Sequence, residues 1–463
     1  MMSLALRRIP HEFVMAGLIG GWAAAIAVAP GTMAKALLLA PAVLLPLAGW
    51  TMAAPARWVA LFLASALLLP PLPIAIGDSG PHPSLLFAAL GIVAGALYIG
   101  RWRIGSQAPG GALLALFLAI VLSLGMAAIH SGIGPAVSSL ARAGLFGIGV
   151  FLFFFASGAP RAGEPGLRRL YGYAVMAAAF ACVDFYFQFP APAGYGPQFV
   201  WMSDGVFRRA QGLFYEASTL GNFCVFFLVM IAVALTLPRA AVPVTRKALL
   251  LGGPMLFAAM VLSYSRASAV GLAVALGVLL WWHRRRVRIG RTLAVFAGVL
   301  AGAALLVWRV FPAFAEMYWL RLSYSAEFLT SATGSVLSGR VESWRTLIAW
   351  IQANPLQAVI GIGYKTLPYT QHLGMPVVAD NMYLSILVET GILGLAALLW
   401  LNVSIVRSAA RAARSEDVGR AFCGLWMLCF WCGEIVQMAS GDLLTYWRVL
   451  PVYLFVLAVA TRP

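Results

Sequence analysis

Two arginines and a carboxylate lie close together in the segment from Met202 to Asn222, within an otherwise apolar chain. Arg208 and Arg209 precede a Gly-Leu-Phe turn, and Glu216 follows the turn where the next apolar run begins. A guanidinium group forms paired hydrogen bonds with phosphate oxygens, and a helix N-terminus adds unpaired N–H donors. Arginines that only reach for lipid headgroups are the alternative, but that arrangement does not require Glu216. We therefore interpret the segment as an anion-binding site with Glu216 as a candidate proton-transfer group.

Two further arginine segments follow along the chain. Arg266 lies in a tight turn between two apolar runs, so we expect it at the membrane surface. The stretch from Ser338 to Pro355 places apolar residues at helical spacing, and Arg340 and Arg345 lie near its start. We predict an amphipathic helix here that either lies on the membrane or caps the helix bundle. Its apolar face consists of Val341, Trp344, Leu347, Ile348 and Ile351.

Polar residues also precede and enter the next apolar run. His372 lies in a polar stretch, Asp380 and Asn381 come directly before the run, and Glu389 lies within it. A carboxylate or an imidazole at such a place could accept the proton of an attacking hydroxyl group. The tetrapeptide GIGY, which begins at Gly361, is too short to indicate nucleotide binding, and flexibility is the better interpretation.

The composition indicates what kind of structure must position these residues. Of the 463 residues, 62% are hydrophobic and only 10% are charged, and the mean hydropathy is +0.90. Soluble domains carry far more charge, about a quarter of their residues. The sequence therefore predicts an integral membrane protein and excludes a soluble enzyme, a coiled coil and a disordered chain.

Apolar stretches long enough to cross a membrane recur along the chain. A helix of about 17–25 residues spans the hydrocarbon core, and these stretches lack the alternation of a membrane β-barrel. We predict about fourteen transmembrane helices and one long outer loop at about residues 311–380. The helix centres lie near Ile19, Leu44, Leu67, Gly91, Val121, Gly149, Ala179, Val229, Leu256, Val274, Leu300, Leu393, Leu428 and Leu454.

The basic residues fall at every second gap between the predicted spans. These gaps hold 21 of the 32 lysines and arginines but only 4 of the 15 acidic residues. Because positively charged loops stay in the cytoplasm, we predict cytoplasmic termini and place the three arginine segments together on the opposite side. The remaining 11 basic and 11 acidic residues balance, so the net charge of +17 reports orientation rather than a nucleic-acid partner. The first span, which follows Arg7 and Arg8, is expected to be a retained anchor rather than a cleaved signal sequence.

Four motifs, taken in order, resemble those of the O-antigen ligase and polymerase superfamily. They are RAQGLFYEASTLG from Arg209, SYSRAS around Arg266, SGRVESW around Arg340 and DNMYLSILVETGILGL from Asp380. The resemblance covers mainly residues 207–395. It implies an all-α polytopic membrane fold related to the membrane glycosyltransferases of the GT-C class. Residues 1–200 would form N-terminal transmembrane helices, and residues 201–463 would form the ligase- or polymerase-like region.

Members of this superfamily transfer a sugar chain carried by undecaprenyl diphosphate, without a metal or another cofactor. For this chain the resemblance implies that Arg209, with the adjacent Arg208, binds the diphosphate together with Arg266 and Arg340. Ligases commonly carry a His-Asn pair before the following span, whereas this chain has an aspartate at the histidine position.

The missing histidine leaves three candidates for the catalytic base, which are Glu216, Asp380 and His372. Asn381, Arg345 and Glu389 are expected to support the site.

The aspartate at the histidine position, together with more predicted spans than the dozen expected of a ligase, favours a polymerase. Such an enzyme would extend lipid-linked oligosaccharide repeats on the periplasmic side of the bacterial inner membrane. The transfer would be inverting, and its partners would be the lipid-linked oligosaccharide, membrane lipids and a chain-length regulator. The alternative within the family is a ligase that transfers the glycan to lipid A core. A transporter or flippase of the same lipid is the alternative from another class, and Asp184 and Glu434 within predicted spans are the residues that favour it.

Overall fold

The structure is a computed structural model of the full chain and is mostly helical. It describes residues 11–54, 56–72, 81–97, 99–101, 108–158, 164–191, 195–202, 205–238, 242–284, 340–369 and 377–462, with isolated positions between 305 and 323. In these ranges the chain forms fifteen α-helices and one two-stranded sheet. The expectation of an all-α membrane protein is confirmed at this level.

The first seven helices precede the sheet. They are α1 (His11–Val28), α2 (Gly31–Ala53), α3 (Ala56–Leu68), α4 (Ser84–Leu97), α5 (Ala108–Ser131), α6 (Ile133–Gly158) and α7 (Glu164–Phe187). Strands β1 (Phe199–Met202) and β2 (Gly205–Arg208) form an antiparallel hairpin in which Phe199 pairs with Arg208.

Eight helices follow the sheet. They are α8 (Ala217–Thr236), α9 (Arg246–Leu262), α10 (Arg266–Trp282), α11 (Arg340–Ala353), α12 (Pro355–Ile360), α13 (Met382–Ala412), α14 (Val418–Gln437) and α15 (Leu450–Thr461).

Six helices in the described ranges are long and apolar enough to cross a membrane, and they coincide with α5, α6, α7, α8, α13 and α14. Shorter apolar helices, among them α3, α4, α10 and α15, accompany them. The chain is therefore a multi-pass membrane protein. Thirteen of the predicted span centres fall within these or neighbouring helices, while Leu300 lies outside the described residues. The total of fourteen spans stays a prediction.

Helix α8 lies in the centre of the bundle and is surrounded by aromatic side chains. The ring of Phe226 lies 4.3 Å from Trp426, 4.7 Å from Phe430 and 4.5 Å from Tyr453, measured between centroids. The Trp426 indole N–H also donates to the Phe226 carbonyl at 2.7 Å. Each aromatic pair contributes about 1 kcal/mol beyond its burial, so α14 and α15 hold α8, whose N-terminus follows Glu216, in a fixed position.

The predicted regions 1–200 and 201–463 share one core. Helix α5 packs against both α6 and α13, and α6 packs against α15. Side chains from the N-terminal helices therefore reach the same end of the bundle as the arginine motifs.

Helix α13 is broken at Gly391, whose φ of 74° lies in the left-handed region. Backbone groups inside a membrane need partners wherever a helix breaks. Here the Ile362 N–H donates to the Val388 carbonyl at 3.1 Å, and the Gly363 N–H donates to the Glu389 carbonyl at 2.9 Å. The GIGY segment thus docks on the break and completes its hydrogen bonds.

The glycines of GIGY serve close packing, so the interpretation of this tetrapeptide as flexible was wrong. Gly363 has a φ of 115°, and a Cβ atom there would lie 2.4 Å from the Cα atom of Ala127 in α5. A Cβ atom at Gly361 would lie 2.5 Å from the Glu389 carbonyl oxygen. Only glycine allows the chain to pass this close to α5 and α13.

The predicted amphipathic helix is present as α11, and it packs on the bundle. Leu347 is fully buried against Ile362 and Val388, and Ile351 is partly buried beside them. Ile348, which we assigned to the same face, is 47% exposed instead. The packed face therefore caps the bundle and fixes Arg340 at the start of α11.

Candidate active site

A cavity of about 970 Å³ lies where α4, α6, α8, α11 and α13 meet the segments 361–369 and 440–447. Its lining combines charged residues with apolar side chains such as Leu85 and Ile92 of α4 and Leu145 and Ile148 of α6. The charged lining residues are Arg142, Glu216, Arg340, Lys365, Asp380, Glu389 and Asp442. A space with both characters suits an amphipathic ligand that has a charged and an apolar part.

The first two arginine motifs lie side by side because their backbones are bonded to each other. Arg209 extends strand β2, and its Nε–H donates to the Ser263 carbonyl at 2.8 Å, while the Ala210 N–H donates to the Leu262 carbonyl at 2.9 Å. Ser263 belongs to the turn between α9 and α10, and Arg266 is the first residue of α10. The Arg209 side chain is thereby fixed next to the turn that carries Arg266.

The third arginine motif joins the first two. Burial lowers the pKa of the Arg209 guanidinium, the charge of Glu216 opposes this, and the positive charges of Arg340 and Arg266 lower it further. Arg340 Nε lies 3.0 Å from Asp380 Oδ2, so this pair joins the start of α11 to the residues before α13. Residues far apart in the sequence therefore lie near enough to influence one another electrostatically.

Glu216 is half-buried at the N-terminus of α8 and lines the cavity. It does not cap the helix with its side chain; instead the Thr219 hydroxyl donates to its Oε2 at 2.7 Å. Burial raises the pKa of the Glu216 carboxyl above its ordinary value, and the nearby Asp442 and Asp380 raise it further. The hydrogen bond from Thr219 and the charge of Arg209 act in the opposite direction. A carboxylate with a raised pKa is suited to accept a proton near neutral pH.

The structure places the other predicted residues in different surroundings. Arg208, like Arg209 and Arg266, is not a lining residue of the cavity, and its Nη2 atom lies 3.6 Å from Asp184 Oδ2 on α7. Arg345 is exposed on α11. Asn381 caps α13, because its side chain accepts from the Leu384 N–H at 3.1 Å. His372 lies outside the described residues.

Glu389 lines the cavity and is only 2% exposed. Its Oε2 atom has no hydrogen-bond partner within the described part of the chain. Glu389 lies two residues before the break of α13 at Gly391. The residue that we expected to support the site is therefore buried in the wall of the cavity.

Sequence reasoning missed two cations of the cavity, Arg142 of α6 and Lys365. Lys365 forms an ion pair with Asp442, and the Arg142 Nη1 atom donates to the Lys365 carbonyl at 3.2 Å. A signal was present for Arg142, which is a single charge within a long apolar run.

Arg448 and His82 connect distant segments of the chain at the cavity, where His82 is a lining residue. Arg448 is buried and donates to the carbonyls of Ala66 and Leu69, each at 2.9 Å, and to that of Leu213. His82 Nε2 lies 2.9 Å from the same Leu69 carbonyl. These bonds fix the ends of α3 and α4 to the segment that precedes α8.

The two residues that favoured a transporter have local partners. Asp184 pairs with Arg208, as described above. Glu434 Oε2 accepts from the Asn222 amide at 2.5 Å, and the Tyr453 hydroxyl donates to Asn222 Oδ1 at 2.5 Å. Glu434, Asn222 and Tyr453 form a hydrogen-bonded network inside the bundle. This network accounts for their burial without a transport path.

Comparison with known proteins identifies a matching family. Residues 248–399 match the family model described as O-antigen ligase, which covers about a third of the chain and includes Arg266, Arg340 and Asp380. The match confirms the resemblance to the O-antigen ligase and polymerase superfamily. It supports a membrane enzyme of the ligase or polymerase type. No curated protein matches the chain.

Proposed function

We propose that the protein is an inverting glycosyltransferase that polymerises oligosaccharide repeats carried on undecaprenyl diphosphate. It would act at the periplasmic face of the bacterial inner membrane, with both termini in the cytoplasm. The observation that carries this proposal is the convergence of Arg209, Arg266 and Arg340 beside Glu216. The O-antigen ligase match supports the same substrate class.

The three arginines would bind the diphosphate of the donor lipid. Arg209 is fixed by its bond to the Ser263 carbonyl, and Arg340 is held by Asp380. Three neighbouring cations repel one another, and a diphosphate would relieve that repulsion. Each hydrogen bond to a charged group contributes about 1.5–3 kcal/mol, and the interaction strengthens as negative charge develops on the leaving diphosphate.

Glu216 is our proposed general base. The acceptor hydroxyl oxygen attacks the anomeric carbon of the donor sugar, and the bond from that carbon to the diphosphate oxygen breaks. The electron pair leaves with the lipid diphosphate, and the hydroxyl proton moves to the Glu216 carboxylate. A single displacement of this kind inverts the anomeric configuration. Asp380, which pairs with Arg340, would act as a positioning residue rather than as the base.

A ligase is the second candidate function, because the matching family model carries that description. Donor binding and proton transfer would be the same in a ligase. The acceptor would be lipid A core instead of a second lipid-linked repeat.

The test uses purified full-length protein in lipid nanodiscs with lipid-diphosphate oligosaccharide. Longer glycans on lipid diphosphate would support a polymerase, and glycan on added lipid A core would support a ligase. Arg209→Ala and Arg266→Ala should each lower kcat/KM at least tenfold, whereas the exposed Arg168→Ala of α7 should leave it unchanged. Translocation without any new glycosidic bond, or full activity of both arginine variants, would refute the proposal.

A further inference from the structure

The same cavity contains a second group of cations on other structural elements. Arg142 comes from α6 and Lys365 from the segment after GIGY. Of the three proposed donor arginines, Arg340 at the start of α11 lines the cavity. Arg209, the residue after strand β2, and Arg266, at the start of α10, lie near enough to interact electrostatically with Arg340. Two cationic groups therefore face the cavity through their lining residues, one through Arg340 and the other through Arg142 and Lys365.

Local contacts make Arg142 and Lys365 one unit. The Arg142 guanidinium donates to the Lys365 carbonyl and, at 3.3 Å, to the Tyr369 hydroxyl, and it lies 5.7 Å from the Tyr369 ring centroid. Lys365 Nζ pairs with Asp442, and its side chain is 13% exposed. Asp442 also raises the pKa of the Glu216 carboxyl, and both residues line the cavity together with this unit.

Folding alone does not account for these cations. Arg142 is the tenth residue of α6, and a charge within a membrane span costs about 3 kcal/mol on insertion scales. The segment is already attached to the helices through Tyr364, whose N–H donates to Ser123 Oγ at 3.1 Å. Its carbonyl accepts from the Ser139 hydroxyl. An apolar residue at position 142 would avoid the cost of placing a charge within the span.

We propose that Arg142 and Lys365 form a second phosphate subsite, which binds the phosphate group of the lipid-anchored acceptor. This inference rests on the proposed function, in which two lipid-anchored substrates meet in one cavity. Two phosphate groups repel each other, so each needs its own cations. The acceptor phosphate exchanges with Asp442 as the partner of Lys365, and the acceptor hydroxyl is thereby held beside Glu216.

The test is the stoichiometry with which undecaprenyl diphosphate binds to the full-length protein in phosphatidylcholine nanodiscs. Wild-type protein should bind two equivalents. Arg142→Gln and Lys365→Gln should weaken the second equivalent about tenfold or more and leave the first unchanged. The exposed residues Arg168 and Lys247, each replaced by glutamine, provide matched controls that should bind two equivalents.

Asp442→Asn separates binding from a structural role of the ion pair. Asparagine keeps the side-chain oxygen that accepts from the Leu444 N–H at 3.0 Å and leaves Lys365 in place. We expect this variant to bind two equivalents. Loss of the second equivalent in Asp442→Asn as well as in Lys365→Gln would mean that the pair is structural, and the proposal would be wrong.

Lipid A core, added to protein that holds one equivalent of undecaprenyl diphosphate, distinguishes the two sources of the acceptor phosphate. Tight binding that requires Lys365 supports the subsite in a ligase, and binding of a second undecaprenyl diphosphate supports it in a polymerase. If wild-type protein binds only one equivalent of undecaprenyl diphosphate and does not bind lipid A core, the proposed subsite is wrong. The proposed function fails separately, if wild-type protein forms no glycosidic bond.

Discussion

The buried His82 should make the folded protein less stable as the pH falls below 6.5. This residue is 4% exposed, and its Nδ1 atom accepts from the Ser84 N–H at 3.2 Å. Nε2 therefore carries the proton of the neutral ring and donates to the Leu69 carbonyl. Burial, together with the positive charge of Arg448, lowers the pKa of His82 from 6.5 to about 3, although the bond to Leu69 opposes the shift.

The sign of the effect follows from which state takes up the proton. Below pH 6.5 the unfolded chain is protonated at His82 while the folded chain stays neutral, so protons favour unfolding. The stability that depends on a neutral His82 is fully present above pH 6.5, decreases as the pH falls, and stops changing below about pH 3. At pH 5 the difference of 1.5 pH units corresponds to about 2 kcal/mol of unfolding free energy.

The measurement is the unfolding free energy of detergent-solubilised protein at pH 7.5 and pH 5.0. Other groups also titrate in this window, so the informative quantity is the difference between wild type and His82→Gln. Wild type should lose about 2 kcal/mol more than this variant. Arg168→Gln, at an exposed position of α7, is the control and should follow wild type. Equal pH dependence of wild type and His82→Gln would refute the reasoning.

Three further predictions test the site and its support. Glu216→Gln should lower kcat about 100-fold or more. Because burial raises the pKa of the Glu216 carboxyl, the wild-type rate should fall on the acid side with a midpoint above pH 4.5. A midpoint at or below pH 4.5 would contradict the role of Glu216 as the base. Gly363→Ala should destabilise the protein by roughly 3 kcal/mol. Gly277→Ala in α10, where an added Cβ atom meets nothing within 4 Å, should not. Equal melting temperatures of the two variants would contradict the close packing at Gly363. Arg208→Ala should cost about 1–3 kcal/mol of stability because it removes the cation that pairs with Asp184. A change of the donor KM by more than about twofold would indicate that Arg208 binds the substrate instead.

Local patterns predicted the helices because the information for them is local. Apolar runs placed span centres within helices, and the spacing of Trp344, Leu347 and Ile351 predicted α11. The exposed Ile348 marks the limit of such a pattern. Periodicity defines a stripe around a helix, but only the packed partner decides how wide the buried part of the stripe is.

The charges that lie together from distant parts of the chain could be predicted only in part. The predicted topology placed Arg209, Arg266 and Arg340 on the same side of the membrane. It could not specify which charged residues form ion pairs. Lys365 and Asp442 are 77 positions apart, and their contact depends on how the segment after Gly363 docks on the broken α13. The sequence shows that the charges outside the predicted cytoplasmic gaps balance, whereas packing decides the individual pairs.

Arg208 and Arg209 are adjacent, and their different surroundings follow from elementary backbone geometry. Both residues lie in extended chain, because Arg208 ends β2 and the Arg209 N–H still bonds to the neighbouring strand segment. Successive side chains of an extended chain point to opposite faces, so the side chains of Arg208 and Arg209 leave the backbone in opposite directions. Arg208 accordingly contacts Asp184, while Arg209 contacts the Ser263 carbonyl beside the cavity. The extended backbone therefore directs one arginine toward Asp184 and the other toward the turn that carries Arg266, and we expect only Arg209 to bind the diphosphate.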